Sequence, residues 1–219
     1  MRDQNKVAIE GLQKTYRSGP DSVTVFGGLD LQLGAGKSLA LVGPSGSGKS
    51  TLLNILCGLE SFDRGEIVLF GDRVTGFGPD AWAGLRRQRI GVVFQEANLM
   101  PAMTLAENIR LRAELAGTNS ADPQDWLARL GLEGLGQRYP DQVSGGQRQR
   151  AALAMVFAMA PGLILMDEPT GSLDRHTATL VADELFRWQA ERQCPLILAT
   201  HDLALAERCD HQLDLGGGQ

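Results

Sequence analysis

The sequence predicts an α/β domain built on a buried parallel sheet, with a smaller group of antiparallel strands and an inserted helical stretch. Three observations carry this. Leu163-Ile164-Leu165-Met166 and Leu196-Ile197-Leu198-Ala199 are continuous apolar runs, separated by a helical pattern from about 177 to 193 in which Val181, Leu185 and Trp188 share a face. Apolar strands alternating with a helix indicate a parallel sheet covered on both sides. In the N-terminal third, Val7 and Ile9, Val23 and Val25, then Leu29, Leu31 and Leu33 recur with period two between glycine-containing turns, the pattern of short, partly antiparallel strands. From 104 to about 129 the spacing becomes helical, through Leu105, Ile109, Arg112 and Leu115 and then Trp126, Leu127 and Leu130, with Asp122-Pro123 as a helix start.

Between the first strands lies Gly43-Pro44-Ser45-Gly46-Ser47-Gly48-Lys49-Ser50, preceded by apolar Leu39-Ala40-Leu41-Val42 and followed by Thr51-Leu52-Leu53. This is strand, phosphate loop and helix. Gly43, Gly46 and Gly48 tolerate positive φ and let backbone N–H groups converge on an anion. Lys49 is placed for the β- and γ-phosphates, the Ser50 hydroxyl for Mg²⁺, and the helix starting near Lys49 turns its positive end to the same point. The pattern implies binding of a nucleoside triphosphate. Period-two patterning continues in Glu66-Ile67-Val68-Leu69-Phe70 and Ile90-Gly91-Val92-Val93-Phe94.

The 219 residues, 43% hydrophobic, suffice for one large domain or a core with an inserted subdomain, folding as a soluble globule. The net charge of -5 gives no global basic field for nucleic acid. The cluster Arg86-Arg87-Gln88-Arg89 reads as a solvated helix end or a complement to a helix dipole. Cys57, Cys194 and Cys209 are scattered and odd in number, as structural thiols are. Met1-Arg2-Asp3-Gln4-Asn5-Lys6 runs straight into a strand pattern with no signal segment, so a cytosolic chain is expected. The apolar run from 151 to 166 is shorter than the ~20 residues of a spanning helix and is broken by Pro161-Gly162. Membrane contact is therefore expected through a partner.

The strand at 163–166 ends in Asp167-Glu168, and strand C-termini are where an α/β sheet places its ligand chemistry. Asp167 is suited to hold a metal through water, and Glu168 to polarise a water attacking a γ-phosphate. The alternative is that both acids cap a helix. Val143-Ser144-Gly145-Gly146-Gln147, before Arg148-Gln149-Arg150, forms a second glycine loop leading into a helix. It is either another phosphate cradle or an ordinary flexible turn.

These motifs, in this order along nearly the whole chain and joined by Gln95, Ser172-Leu173-Asp174 and His201, strongly resemble those of the ATP-binding-cassette (ABC) ATPases. The resemblance implies a P-loop NTPase core with a mixed sheet, a small antiparallel β subdomain and an inserted helical subdomain, divided as 1–95 with 161–219 for the core and 96–160 for the helical part. It implies ATP and Mg²⁺ as ligands, held by Gly43, Pro44, Ser45, Gly46, Ser47, Gly48, Lys49, Ser50 and Thr51, with Ser50, Gln95 and Asp167 around the metal. Tyr16 matches the aromatic that stacks on adenine, the alternative being an exposed turn tyrosine. Glu168 matches the catalytic base and His201 a γ-phosphate contact. Gln95 matches the glutamine that touches Mg²⁺ and senses a transmembrane partner. Ser144, Gly145, Gly146 and Gln147 match the signature loop that reaches the nucleotide of an opposite subunit, and Asp174 the aspartate that links two such sites. His176 and His211 match nothing and are expected at the surface.

The implied working unit is a head-to-tail homodimer driving an integral-membrane permease, peripheral on the inner face of the cell membrane, with no nucleic acid partner. Within the family the chain looks most like ATPases of lipoprotein-releasing and macrolide-export-type systems, through Phe94-Gln95, Leu99-Met100-Pro101, Thr104-Leu105-Ala106-Glu107-Asn108, Glu168-Pro169-Thr170-Gly171-Ser172-Leu173-Asp174 and Thr200-His201-Asp202. It departs at Val143, where leucine is usual, and at Met155, where arginine is usual. Ending at Gly216-Gly217-Gly218-Gln219, without a C-terminal regulatory domain, disfavours nutrient import. The competing readings are a soluble cassette acting on DNA or ribosomes, and a P-loop kinase. The first calls for inserted coiled coils or a fused second cassette, neither of which this chain has; the second gives no reason for Ser144 to Gln147.

Overall fold

The computed structural model describes residues 6–19, 21–118 and 122–216. The leader reading of Met1 to Asn5 and the closing Gly217-Gly218-Gln219 lie outside these.

The parallel and antiparallel strand directions are divided between two sheets. One is antiparallel, in the order β2-β1-β4-β5, formed by β1 (Val7–Ser18), β2 (Asp21–Leu33), β4 (Arg64–Leu69) and β5 (Asp72–Arg73). The other is wholly parallel, in the order β6-β7-β8-β3-β9, formed by β3 (Ser38–Val42), β6 (Ile90–Val93), β7 (Leu163–Asp167), β8 (Leu196–Ala199) and β9 (His211–Asp214). Its register pairs Leu41 with Ala199, Asp167 with Ala199, and Val93 with Met166. The C-terminal ends of β3, β6, β7 and β8 therefore share one edge.

Each face of the parallel sheet has its own core. Leu39, Leu41, Leu165 and Ile197 pack with β1, β2 and α1 (Lys49–Leu56), while Ala40, Ile164, Met166 and Leu198 pack with the helices of the middle and C-terminal segments. This is the two-sided burial that continuous apolar strands require. Those helices are α3 (Leu105–Ala116), α4 (Pro123–Arg129), α5 (Gly145–Ala158) and α6 (Arg175–Arg192). Thr104 and Glu107 form a reciprocal capping box at α3, and, as the sequence predicted, Asp122-Pro123 starts a helix, Asp122 capping α4 with Pro123 at its first turn.

The N-terminal strands are longer than expected and are bent by register shifts at residues 9–15. Tyr16 lies in β1 opposite Val23, not in a turn. No sequence signal announces β9, an edge strand whose side chains are mostly exposed. Arg86 and Arg87 end α2 (Pro79–Gln88), and Arg86 Nη1 donates to the carbonyls of Cys57 (2.8 Å) and Gly58 (3.1 Å). One member of the basic cluster thus closes the C-terminus of α1. Burial pushes the thiols of Cys57 and Cys194 up to about 11 and about 12, which leaves them protonated and structural.

Gly58, just beyond α1, has φ +67°, and a Cβ there would stand 2.0 Å from the Trp82 ring. Gly58→Ala is expected to cost about 2–5 kcal/mol, combining left-handed strain with overpacking. Chemical denaturation reads this as a lower midpoint at unchanged slope.

Candidate nucleotide site

Where β3 ends, the chain turns through Gly43 (φ +134°), Gly46 (φ +80°) and Gly48 (φ +99°) into α1. All three glycines adopt the backbone that the loop reading requires. Gly48 also has no room for a side chain: a Cβ would stand 2.5 Å from Val25 Cγ1 and 3.0 Å from the Phe26 ring. As N-cap of α1 it offers no side-chain hydrogen bond, and the first turn holds no acidic residue. The leading N–H groups of this helix are thus left for an external anion. The Ser47 hydroxyl is buried with no partner. Lys49 Nζ donates to the carbonyls of Gly43 (2.8 Å) and Pro44 (2.9 Å), which hold the ammonium against the loop. A triphosphate fits this chemistry.

The shared strand edge brings the acids to the same place. Ser50, Gln95, Asp167, Glu168 and His201 line one cleft of about 690 Å³ together with Lys49, Ser45, Gly46, Gly48 and Thr51. Glu168 has φ +49°, strain of the kind that collects at functional sites. Its Oε2 lies 2.9 Å from His201 Nδ1 and accepts weakly from Thr200 Oγ1 and the His201 N–H, each at 3.4 Å. The Glu168 side chain is 16% exposed and that of His201 76%, so one acid oxygen is fixed from behind while the imidazole faces the opening. Neither Asp167 nor Glu168 caps a helix: the next one, α6, is capped by Asp174. Among the described residues no three acid, histidine or cysteine side chains are grouped for a metal. The oxygens of Ser50, Gln95 and Asp167 suit Mg²⁺, which takes one or two protein carboxylates and completes its shell from phosphates and water.

Three of the predicted groups do not line this cleft. Tyr16 is 42% exposed on β1, with Lys14 Nζ 4.6 Å from its ring centroid. Ser144 and Gln147 form a capping box that starts the 14-residue α5, so the segment is an ordered helix start, not a flexible turn. Ser144 and Gly145 are exposed. A Cβ on Gly146 would stand 3.0 Å from Leu173 Cδ2, which seats this helix start against the loop that follows Glu168. Asp174 accepts from Thr177 N (3.0 Å) and Thr177 Oγ1 (2.6 Å), and the hydroxyl bond is the main reason its carboxyl lies below the ordinary aspartate value. His176 and His211 are exposed. Sequence reasoning missed Glu96, which lines the cleft, and Thr200, which orients Glu168. Both adjoin residues that it found.

The family model described as ABC transporter matches residues 26–171. The chain is 43% identical over 224 residues to the uncharacterized ABC transporter ATP-binding protein YbbA of Escherichia coli (strain K12), covering 100% of this chain and 98% of that one. It is 39% identical over 223 residues to the lipoprotein-releasing system ATP-binding protein LolD of Pseudomonas syringae pv. tomato, with the same coverage. Among solved structures, the dimeric post-hydrolysis state of the ATP-binding cassette MJ0796 bound to ADP and Pi superposes with a TM-score of 0.89 at 31% identity, over 96% of this chain and 94% of that one. With a family model spanning most of its length and relatives this similar from end to end, the chain belongs to the ABC transporter family, as an ATP-hydrolysing cassette.

Proposed function

We propose that two copies of this chain close head to tail on two Mg-ATP and drive an integral-membrane permease that exports or extracts lipids, lipoproteins, peptides or small toxic compounds. The observation that carries this reading is a separation within one chain. Lys49, Asp167, Glu168 and His201 share a cleft, whereas the helix start at Ser144 to Gln147 is outside it with Ser144 and Gly145 exposed. A second copy turned head to tail supplies that helix start to the cleft, and the similar MJ0796 cassette bound to ADP and Pi is a dimer. The class of cargo rests on the likeness to LolD.

In this reading the loop N–H groups from Ser45 to Thr51 and the Lys49 ammonium bind the phosphates, and Tyr16 offers its ring to the base. Glu168 takes the proton of the attacking water, with Thr200 and the His201 N–H fixing its carboxylate. His201 contacts the γ-phosphate, Gln95 reports its presence to the permease, and Asp174 couples the two sites. Mg²⁺ held near Ser50, Gln95 and Asp167 would neutralise charge that develops on the phosphates. Residues 96–160 act as the helical unit that carries Ser144 to Gln147.

The permease is proposed to sit in a groove of about 450 Å³ beside Phe94, Asn98, Arg112 and Met155. Met155 gives that groove a flexible apolar surface where an arginine was expected. Leu99 is 9% exposed and belongs to the core, whereas Met100 is 52% exposed. A photo-crosslinker at Met100, used in detergent-solubilised membranes, is expected to capture an integral-membrane protein. Capture of ribosomal or DNA-associated protein instead would favour the soluble reading and place the chain away from the inner membrane face.

A further inference from the structure

The cleft draws its residues from the ends of β3, β6, β7 and β8. The fifth strand, β9, supplies none of them, yet its end is packed against the phosphate loop. Leu215 N donates to the carbonyl of Val42, the last residue of β3, at 2.9 Å. Asp214 Oδ1 accepts from Gly216 N at 2.7 Å, closing a short turn that lays Gly216 against Gly43 and Pro44. The approach is tight from both sides. A Cβ on Gly216 would stand 2.6 Å from Pro44 Cδ, and one on Gly43 would stand 3.0 Å from Gly216 N and 3.3 Å from Asp214 Oδ1. Gly43 and Pro44 are the residues whose carbonyls hold Lys49 Nζ.

We propose that Asp214 is a positioning residue for nucleotide binding: by holding Gly216 against Gly43 and Pro44, it fixes the part of the loop that presents the Lys49 ammonium to the phosphates. Asp214 touches no substrate atom. Its carboxylate accepts one N–H, and the resulting turn is a rear wall that the loop cannot move into. Gly48 is walled in the same way on the opposite flank by Val25 and Phe26, so the loop is braced between β2 and the end of β9. An ammonium held in one place in advance loses less freedom on binding, and displacing it weakens substrate and transition state alike.

The proposal rests on the loop being the nucleotide site, and its test separates the two claims. KM for ATP, kcat and melting temperature are measured for Asp214→Ala, Asp214→Asn and Gly216→Ala. Alanine is compatible with the backbone at 216, where φ lies outside the left-handed region, so its effect is the contact with Pro44 Cδ and, at 3.1 Å, with Asp214 Oδ1. Both alanine variants are expected to raise KM by about five- to tenfold with kcat within about twofold, the signature of lost uniform binding, at an assay temperature well below the melting temperature of each. Asp214→Asn is expected to restore native KM, because its amide oxygen accepts the same bond. Native KM in both alanine variants, failure of the asparagine variant to rescue, or a KM rise that only tracks lost thermal stability would each overturn the proposal. Lys49→Ala is measured alongside: native ATP affinity in that variant overturns the loop reading itself, whereas a weakened Lys49 variant with insensitive Asp214 and Gly216 variants overturns only the positioning role.

Discussion

Glu168→Gln is expected to bind Mg-ATP about as tightly as the native chain, to lose about 10²- to 10⁴-fold in turnover, and to accumulate as a dimer while ATP persists. The substitution changes one property. Glutamine has the size of glutamate, and its amide oxygen still accepts from the His201 N–H and Thr200 Oγ1, the two donors at 3.4 Å from Oε2. The positive φ at this residue is set by the strand end and its neighbours, and the Glu168 N–H to Ala199 bond at 2.9 Å belongs to the backbone. What is lost is a carboxylate able to take a proton from water. Steady-state ATP hydrolysis and light scattering with and without Mg-ATP measure the two consequences. Normal turnover would reject Glu168 as the base, and a slow variant that stays monomeric with ATP bound would reject closure of two copies on the nucleotide.

The imidazole beside Glu168 bears on the same result. His201 Nδ1 is 2.9 Å from Oε2, so one acid oxygen is engaged from the imidazole side and the other is left for water. The proposed proton transfer by Glu168 and the proposed phosphate contact by His201 are therefore linked through a single contact. Substitution at one position should alter the orientation of the other, and their effects on turnover should not add.

Much of this arrangement was legible in the sequence because it follows from local rules. Three glycines before Lys49-Ser50 imply positive φ, and all three adopt it. An apolar run ending in two acids implies a buried strand with its chemistry at the C-terminal edge, where β7 places Asp167 and Glu168. Asp122-Pro123 announces a helix by its chemistry alone. What stayed illegible depends on contacts distant in sequence. Edge strand β9 has little apolar patterning, because most of its side chains face solvent, so neither its place beside β3 nor the packing of Gly216 on Pro44 had a signal. Leu99 and Met100 are adjacent apolar residues with opposite exposures. The difference arises because the buried Asn108 binds the Met100 N–H through Oδ1 and the carbonyls of Met100, Met103 and Thr104 through Nδ2, and no periodicity reports that. Ser144, Gln147 and Asp174 illustrate a third case. Their helix-capping work is visible in one chain, while the role implied by resemblance needs a second.

Lys49→Ala is expected to fold normally and to lose about 10²-fold or more in ATP affinity, since a hydrogen bond from a charged donor contributes ~1.5–3 kcal/mol and an ammonium reaching two phosphates makes more than one. The native side chain is partly buried and donates to the carbonyls of Gly43 and Pro44. Of these two residues Pro44 is exposed, so water replaces the ammonium there at small cost and the fold is little affected. The loop backbone and the uncapped start of α1 remain in the variant and retain some attraction for phosphate. Residual binding that weakens as salt is raised is consequently expected, because the remaining attraction is that of backbone dipoles near solvent. Equilibrium titration with a fluorescent ATP analogue, paired with thermal unfolding, separates this from misfolding. Native affinity in a well-folded Lys49→Ala would mean that the phosphates are held elsewhere than at this loop. The two carbonyls that restrain Lys49 would then be stabilising the loop and not aiming a charge.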